Sequence, residues 1–156
     1  MRKVKRKAVS PVIATVILVA VAITVAVAVA YWMGGIAGQY TKFEKVEFQT
    51  AVCTYDSTNT YWKIAVKLKN TGTAPATFVA AFISDVEVQN YDNDAVVAGQ
   101  TSTNMTVTTT SIESGQTLAI NFYIDLGYLS LSSGTTINIK IHSAGGMDYV
   151  KLVELV

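Results

Sequence analysis

The sequence has almost none of the residues that build disulfides, metal sites or nucleophilic catalytic centres. Its 156 residues include one cysteine, Cys53, and one histidine, His142. One cysteine forms no intrachain disulfide, and one histidine with one cysteine supplies no usual zinc site or catalytic triad. We expect Cys53 to be a buried small apolar side chain and His142 to lie at the surface. We therefore predict no catalytic residue, no metal site, no cofactor and no enzymatic activity.

Two weaker ligand motifs are also incomplete. Gly34-Gly35 lacks the Lys-Ser/Thr that follows the glycines of a phosphate-binding loop. The segment Asn90–Asp94 places oxygen-bearing side chains at alternate positions, as calcium loops do. However, Ala95 occupies the position of the turn glycine and Thr101 that of the bidentate glutamate. A solvated loop is the prediction for this segment.

Charge is missing from a long N-terminal stretch. No charged residue occurs between Lys7 and Lys42, and Ala8–Met33 is almost entirely apolar. A helix over Ala8–Met33 would be about 39 Å long, enough to cross a hydrocarbon core of about 30 Å. Val19–Ala30 alternates β-branched residues with alanine, which is typical of a strand. A lone strand in lipid leaves its backbone polar groups unpaired, so we predict a membrane-spanning helix.

Two local features refine this helix. Ser10 is expected to cap its N-terminus, and Pro11 falls in the first turn, where a missing N–H costs nothing. Further along, Ala22, Ala26 and Ala30 are four residues apart and share one face. Small residues at this spacing allow helices to approach closely, so we predict that this face packs against other copies of the helix.

The basic residues are concentrated at the N-terminus. Residues 1–7 carry five of the 12 Lys and Arg and none of the 11 Asp and Glu, so the rest has seven basic against 11 acidic residues. A basic block before an apolar run keeps the N-terminus cytoplasmic and resembles the start of an export signal. The apolar run exceeds the roughly 7–15 residues of an ordinary signal core. The acidic remainder makes nucleic-acid binding through a basic patch unexpected.

The start of the chain resembles the class III signal peptide of archaeal type IV pilins. The similarity covers residues 1 to about 38: a basic leader, the Ala-Val-Ser-Pro-Val-Ile-Ala-Thr of Ala8–Thr15, and a long apolar helix. Bacterial type IV pilins usually have a glutamate near the helix start, whereas this helix has no acid there. The resemblance implies cleavage between Lys7 and Ala8 by a prepilin peptidase. It also implies insertion in the cytoplasmic membrane and export into a filament by pilus assembly machinery.

A glycine-containing collar follows the apolar run. Three glycines occur in Gly34–Gly38, and each weakens a helix by about 1 kcal/mol relative to alanine. We predict a kink, an unwound segment or a helix end near Gly34. Tyr31, Trp32 and Tyr40 bracket the collar as an aromatic belt does at a membrane surface. The predicted organisation is a basic leader (1–7), a hydrophobic helix with its collar (8–45) and a head (46–156).

The head is predicted to be entirely β-structure. Apolar and polar residues alternate clearly over 62–68, 118–124 and 137–141, and more weakly over 46–55, 77–89, 105–111 and 147–155. Asn70-Thr71-Gly72-Thr73 reads as a turn between strands. About seven strands in a segment of about 110 residues indicate an antiparallel, immunoglobulin-like β-sandwich. The fold class is therefore α+β: a long N-terminal hydrophobic α-helix followed by this head.

One modification motif is present in the head. Asn104-Met105-Thr106 is an N-glycosylation sequon. It lies in the hydroxyl-rich stretch Thr101–Ser111, which also suits a threonine-rich strand. Because the head is expected outside the cell, we predict a glycan on Asn104.

Three functions fit this organisation. The first is a structural subunit of an extracellular pilus-like filament, a helical homopolymer with helices as its core and β heads as its outer sheath. By resemblance, such a filament serves cell adhesion. The second is a subunit of an archaellin-type motility filament, which has the same leader, helix and head. The third is a membrane-anchored surface module that binds a ligand and never polymerises.

Overall fold

The computed structural model of the protein describes residues 10–107 and 109–156. The predicted leader and the cleavage position between Lys7 and Ala8 lie outside the described residues. The chain divides into two compact units, with the boundary between Thr41 and Lys42. The first unit contains the helix and the second contains the β head.

Helix α1 comprises Pro11–Tyr40, and Pro11 occupies its first turn as predicted. Ser10 is the N-cap residue, as predicted, but its side chain makes no capping hydrogen bond. The Ser10 carbonyl instead accepts the first helical hydrogen bond from the Ala14 N–H at 3.1 Å. A helix start facing lipid headgroups or water does not need a side-chain cap for its first N–H groups.

The glycine collar does not interrupt the helix. Gly34, Gly35 and Gly38 all lie within α1, which ends at Tyr40 with the Thr41 N–H bonded to the Ala37 carbonyl at 3.2 Å. Of the three predicted outcomes, an unwound segment and a helix end near Gly34 are therefore wrong. A glycine costs about 1 kcal/mol in a helix but leaves the backbone hydrogen bonds intact, unlike proline. The helix stops where the charged residues resume at Lys42.

The described part of the head contains nine strands and one 3₁₀ turn, Tyr128–Ser130. The strands are β1 (Val46–Asp56), β2 (Tyr61–Asn70), β3 (Ala76–Ile83), β4 (Val86–Glu87), β5 (Thr101–Thr103), β6 (Ser111–Ile112), β7 (Thr117–Asp125), β8 (Thr136–Ser143) and β9 (Asp148–Glu154).

These strands form two sheets with antiparallel ladders. The first has the order β1-β2-β7-β5 and the second β4-β3-β8-β9, with β6 also paired to β3. The inner faces of both sheets contribute to one core, whose largest fully buried side chains include Trp62, Phe78 and Phe122. The predicted α+β fold, a long apolar helix followed by an antiparallel β-sandwich, is confirmed.

The clearly alternating segments are strands β2, β7 and β8, as predicted, and the weaker segments 46–55 and 147–155 correspond to β1 and β9. The predicted strand over 77–89 is divided into β3 and β4 by Ser84 and Asp85, whose φ angles are 50° and 64°. The predicted strand over 105–111 is wrong for residues 105–107, 109 and 110, whereas Ser111 belongs to β6. The Thr110 N–H bonds the Thr106 carbonyl and the Thr110 hydroxyl accepts from the Thr106 N–H, so local bonds replace sheet pairing.

Candidate functional site

The surface of α1 is the most prominent functional feature of the first unit. None of its residues is buried, and its length and composition suit a membrane span. At about 1.5 Å per residue, its 30 residues extend about 45 Å, which exceeds a hydrocarbon core of about 30 Å. Its exposed large apolar and aromatic side chains are Val12, Ile13, Val16, Ile17, Leu18, Val19, Val21, Ile23, Val25, Val27, Val29, Tyr31, Trp32, Met33 and Tyr40.

Apolar side chains surround the axis of α1 on every side. An amphipathic helix that lies on a membrane surface would have one polar face, and α1 has none. A helix of this kind requires surroundings that are apolar all round, which are lipid or other helices. Exposure of this surface to water is unfavourable, because each large apolar side chain contributes roughly 1.5–3 kcal/mol when fully buried.

The predicted alanine face lies on α1. Ala22, Ala26 and Ala30 are all exposed and succeed one another at four-residue spacing. At about 100° per residue this spacing drifts by only about 40° per step, so the three methyl groups form one narrow strip. Small side chains at this spacing allow a second helix backbone to approach closely.

At the start of the head, a short lead-in segment is held by the loop after β2. We call residues 43–45 the lead-in segment and residues 70–74 the clamp loop. The Thr71 and Gly72 N–H groups bond the Lys45 carbonyl at 2.8 and 3.1 Å, and the N–H groups of residues 73 and 74 bond the Phe43 carbonyl at 2.9 and 3.1 Å. The Phe43 N–H bonds the Thr73 hydroxyl at 3.0 Å. Five hydrogen bonds thus hold the segment that follows α1 in the chain.

Asn70 organises the clamp loop from inside the protein. Its side chain is fully buried, and its amide N–H groups bond the Ala74 and Ile112 carbonyls at 2.8 and 2.9 Å. Its amide oxygen accepts from the Gly72 N–H at 2.9 Å. The segment Asn70–Thr73, predicted as a simple turn, is therefore a hydrogen-bonded loop that holds the lead-in segment.

A second contact fixes the lead-in segment from the other sheet. The Tyr149 hydroxyl on β9 donates to a Glu44 carboxylate oxygen at 2.9 Å, and the Tyr149 ring packs edge-on against Phe78. Burial, followed by the hydrogen bond and the negative charge of Glu44, raises the pKa of Tyr149 to about 12. The first residues of the head are thus held by both sheets.

The remaining predicted positions are not brought together. Cys53 is half-buried on β1, and burial raises the pKa of its thiol. The His142 ring pairs with the Asp148 carboxylate at 2.6 Å on the outer face of the second sheet. Asn104 is half-buried, and its amide oxygen accepts from the Asn121 N–H at 2.8 Å.

The oxygen-rich segment 90–94 serves structural contacts. One carboxylate oxygen of Asp92 accepts from the Thr106 hydroxyl at 3.0 Å, and one of Asp94 accepts from the Tyr123 hydroxyl at 2.5 Å. In residues 10–107 and 109–156, no three His, Cys, Asp or Glu side chains are grouped as metal ligands would be.

Sequence reasoning did not identify the lead-in segment or Tyr149. Their partners lie 26 to 105 residues away in the chain, so no local period marks them. The Asn-Thr-Gly sequence was the one available signal, because a glycine that admits a close backbone approach and a buried asparagine are typical of a built turn.

No protein-family model matches the sequence, and no curated protein matches it. Among solved structures, the chain is similar to the archaeal flagellum of Methanospirillum hungatei strain JF1, with 15% identity, 94% of each chain covered and a TM-score of 0.47. It is also similar to the archaellum periplasmic stator protein FlaG from Sulfolobus acidocaldarius, with 18% identity over 71% of this chain and 100% of that chain and a TM-score of 0.45. A third neighbour, the Iho670 flagellar-like filament, has 12% identity over 94% and 98% and a TM-score of 0.38. All three TM-scores are below 0.5.

Proposed function

We propose that the protein is the structural subunit of an extracellular, type IV pilus-like filament that serves adhesion. One observation carries the proposal: α1 is a 30-residue helix, apolar around its whole circumference, without a single buried residue. Such a helix must be covered by lipid before assembly and by other copies of itself afterwards. The helices then form the filament core and the β heads the outer sheath.

The length of α1 favours a filament over a simple tether. About 20 apolar residues span a bilayer, and α1 has about ten more. The additional turns contain the three glycines, which expose backbone and admit close neighbours in a helix bundle. In the extracellular filament, packing against other copies keeps the 15 exposed large side chains of α1 out of water, a gross contribution of tens of kcal/mol relative to a water-exposed helix.

The lead-in segment and the clamp loop suit the mechanical task of such a subunit. In a filament, a pull on the helical core reaches each head through the residues that follow Tyr40. The hydrogen bonds to the Phe43 and Lys45 carbonyls and the Glu44–Tyr149 contact attach this part of the chain to both sheets. A head secured at its first residues transmits tension without unravelling from its N-terminal end.

Three further steps belong to the same proposal. A prepilin peptidase removes residues 1–7 by cutting between Lys7 and Ala8, and assembly machinery moves α1 from the cytoplasmic membrane into the filament. The head carries a glycan on Asn104. A glycan attaches to the amide nitrogen, so the hydrogen bond of the Asn104 oxygen to the Asn121 N–H is compatible with it.

Negative-stain microscopy of sheared cell-surface material, with N-terminal sequencing of its main band, tests the proposal. We expect fibres whose subunit begins at Ala8, and treatment with a glycan-cleaving reagent should lower the subunit mass. A protein that stays monomeric in detergent, in cells without fibres containing it, would make it a tethered surface module instead.

The same helix and head also suit a motility filament, so the adhesion role needs its own test. A deletion strain that swims normally but attaches poorly to surfaces supports adhesion. A strain that stops swimming and attaches normally overturns it.

A further inference from the structure

A cleft of about 650 Å³ opens on the outer face of the first sheet, away from the lead-in segment. Its floor is formed by neighbouring residues of β2 and β7, where Tyr61 pairs with Asp125 and Lys63 with Tyr123. The loop of residues 94–98 forms one wall and the turn at residues 59–60 forms another. The volume lies in the range of about 300–1,000 Å³ that is typical of small-ligand sites.

The aromatic part of the cleft is held rigidly. The Tyr61 and Tyr123 rings have centroids 5.8 Å apart and are tilted by 56°. The Lys63 ammonium lies 5.4 Å from the centre of the Tyr123 ring, and the Tyr123 hydroxyl donates to Asp94. Tyr123 is almost fully buried, whereas Tyr61 is only half-buried and presents ring surface to the cleft. The pair therefore forms a supported aromatic platform.

The loop wall is also fixed. The Ser102 hydroxyl on β5 donates to the Ala95 carbonyl, which ties the loop to the sheet. A carboxylate oxygen of Asp125 accepts from the Gly99 and Gly127 N–H groups at 2.8 and 3.0 Å. The cleft is thus formed before any ligand binds, which lowers the entropic cost of binding.

Hydrogen-bonding groups remain free inside this rigid frame. Within the described residues, the Lys63 ammonium has no hydrogen-bond or ion-pair partner, and neither has the second carboxylate oxygen of Asp94. A donor and an acceptor are therefore available beside the Tyr61 ring. The hydrogen bond from Tyr123 lowers the pKa of Asp94, with a smaller contribution from the charge of Lys63, so the carboxylate is ionised at neutral pH.

The lining selects one chemical class of ligand. It is mostly polar, which disfavours lipids and other apolar ligands. Two carboxylates disfavour polyanions, and the central Lys63 disfavours cations. A neutral ligand can match all three groups if a flat C–H face stacks on the Tyr61 ring and its hydroxyl groups bond the Lys63 ammonium and the Asp94 carboxylate. The geometry points to a carbohydrate-binding cleft in which Tyr61 stacks on a sugar ring while Lys63 and Asp94 hydrogen-bond its hydroxyl groups.

Binding by the full chain in detergent micelles tests this cleft without requiring polymerisation. The detergent should be a polyoxyethylene type, because sugar-headed detergents would compete. The probes are glucose, galactose, mannose, N-acetylglucosamine and their β1,4- and α1,4-linked dimers, with binding followed by saturation-transfer NMR and titration. We expect at least one probe to bind with a Kd in the millimolar range or below.

Variants then locate the binding. Tyr61→Ala should weaken it at least about tenfold, and Tyr61→Phe, which keeps the ring, should stay within about threefold of the parent. Asp94→Asn should also weaken binding, while Tyr55→Ala, a change at another exposed tyrosine, should not. Unchanged thermal unfolding of each variant shows that the head is intact.

Two outcomes would overturn the proposal that this cleft binds carbohydrate. One is the absence of saturation transfer for every probe, and the other is an equal loss of binding in Tyr61→Ala and Tyr55→Ala. Neither outcome affects the filament proposal, because the assay contains no filament. Conversely, a chain that binds sugar but forms no fibre would support the carbohydrate-binding proposal and contradict the filament proposal.

Discussion

Gly72 lies directly against the backbone of the lead-in segment at Phe43. A Cβ atom at Gly72 would be 2.5 Å from the Phe43 carbonyl oxygen and 2.6 Å from the Lys45 nitrogen. The φ angle of Gly72 is not in the left-handed region, so the reason for glycine is space rather than backbone conformation. This close approach lets the clamp loop donate its N–H groups to the Phe43 and Lys45 carbonyls.

Gly72→Ala should therefore destabilise the head strongly. The added methyl group meets backbone atoms that cannot rotate away, so the lead-in segment must shift and lose hydrogen bonds. We expect a loss of about 3 kcal/mol, or a fall in Tm of at least roughly 10 °C for a domain of this size. Thermal unfolding of the full chain in detergent, followed by near-ultraviolet circular dichroism, measures it.

The matched control is Gly38→Ala, because nothing lies within 4 Å of a Cβ at Gly38. That variant should leave the Tm of the head unchanged. Equal Tm values for Gly72→Ala and the parent would show that the lead-in segment does not need this close contact.

Asn70→Ala should be about as harmful, for a different reason. The substitution removes all three hydrogen bonds of the Asn70 side chain. The Ala74 and Ile112 carbonyls lose their amide partner, while the Gly72 N–H keeps its bond to the Lys45 carbonyl. Each buried polar group left unpaired costs about 1–3 kcal/mol, so we expect a loss of about 3 kcal/mol in urea unfolding. Asn93→Ala serves as control, since its amide oxygen makes one hydrogen bond, to the Ala95 N–H. Similar urea midpoints for the two variants would contradict a structural role for Asn70.

The sequence predicted the parts of the fold that depend on local periodicity. The alternation of Trp62, Ile64, Val66 and Leu68 with lysines and alanine defined β2 because each apolar side chain faces the core. The helix was marked equally clearly by its lack of charge. Both signals are local, because each is carried by neighbouring residues of one continuous segment.

The contacts that form the candidate sites depend instead on pairing between residues that are far apart in the chain. Tyr61 and Tyr123 meet only because β2 and β7 pair with Lys63 opposite Tyr123, and no local pattern encodes that register. The helix continues through Gly34 because glycine weakens a helix without removing its hydrogen bonds, so counting glycines overestimated the effect. Likewise, weak alternation predicted a strand over 105–111, where the Thr110 hydroxyl bonds the local backbone instead.

The hydrogen bond between Tyr149 and Glu44 predicts a loss of stability at alkaline pH. The pKa of Tyr149 in the folded head is about 12, above the value of about 10 for an unfolded chain. Because the folded pKa is raised, this contribution to stability is complete below pH 10 and is lost as pH rises toward 12. The urea midpoint of the head should therefore fall between pH 9 and pH 11.5.

Tyr149→Phe isolates this effect. It removes the hydrogen bond to Glu44, so the variant should be less stable at pH 8 by about 1 kcal/mol. It also removes the titrating hydroxyl, so its midpoint should fall less steeply with pH than that of the parent. Tyr55→Phe, which leaves the Glu44 contact intact, should keep the parent's pH dependence. Parallel curves for Tyr149→Phe and the parent would assign the alkaline loss to other groups, such as Tyr123, whose pKa is also raised.

Charge reversal before the proposed cut should block processing of the precursor. Lys7→Glu places an acid directly before Ala8, where the resemblance to pilin signals expects a basic residue. We expect the unprocessed chain to accumulate in the membrane and no fibres to form, as measured by mass spectrometry and microscopy. Lys3→Glu makes the same charge change away from the cut and should be processed normally. A Lys7→Glu product that still begins at Ala8 would contradict the assigned leader.

Enlarging one alanine of the helix strip should weaken the filament without affecting the head. Ala26→Leu adds three carbon atoms in the middle of the Ala22–Ala30 strip, where another helix would otherwise approach closely. We expect fewer fibres, which dissociate at a lower temperature, while the Tm of the head in detergent stays unchanged. Ala28→Leu is the matched control, because residue 28 lies about 200° around the helix axis from residue 26. Fibres of normal number and thermal stability in Ala26→Leu would show that the strip faces no tight contact. Equal losses of fibre number and thermal stability in both variants would show that leucine at either position disturbs the filament core. The alanine strip would then have no special role.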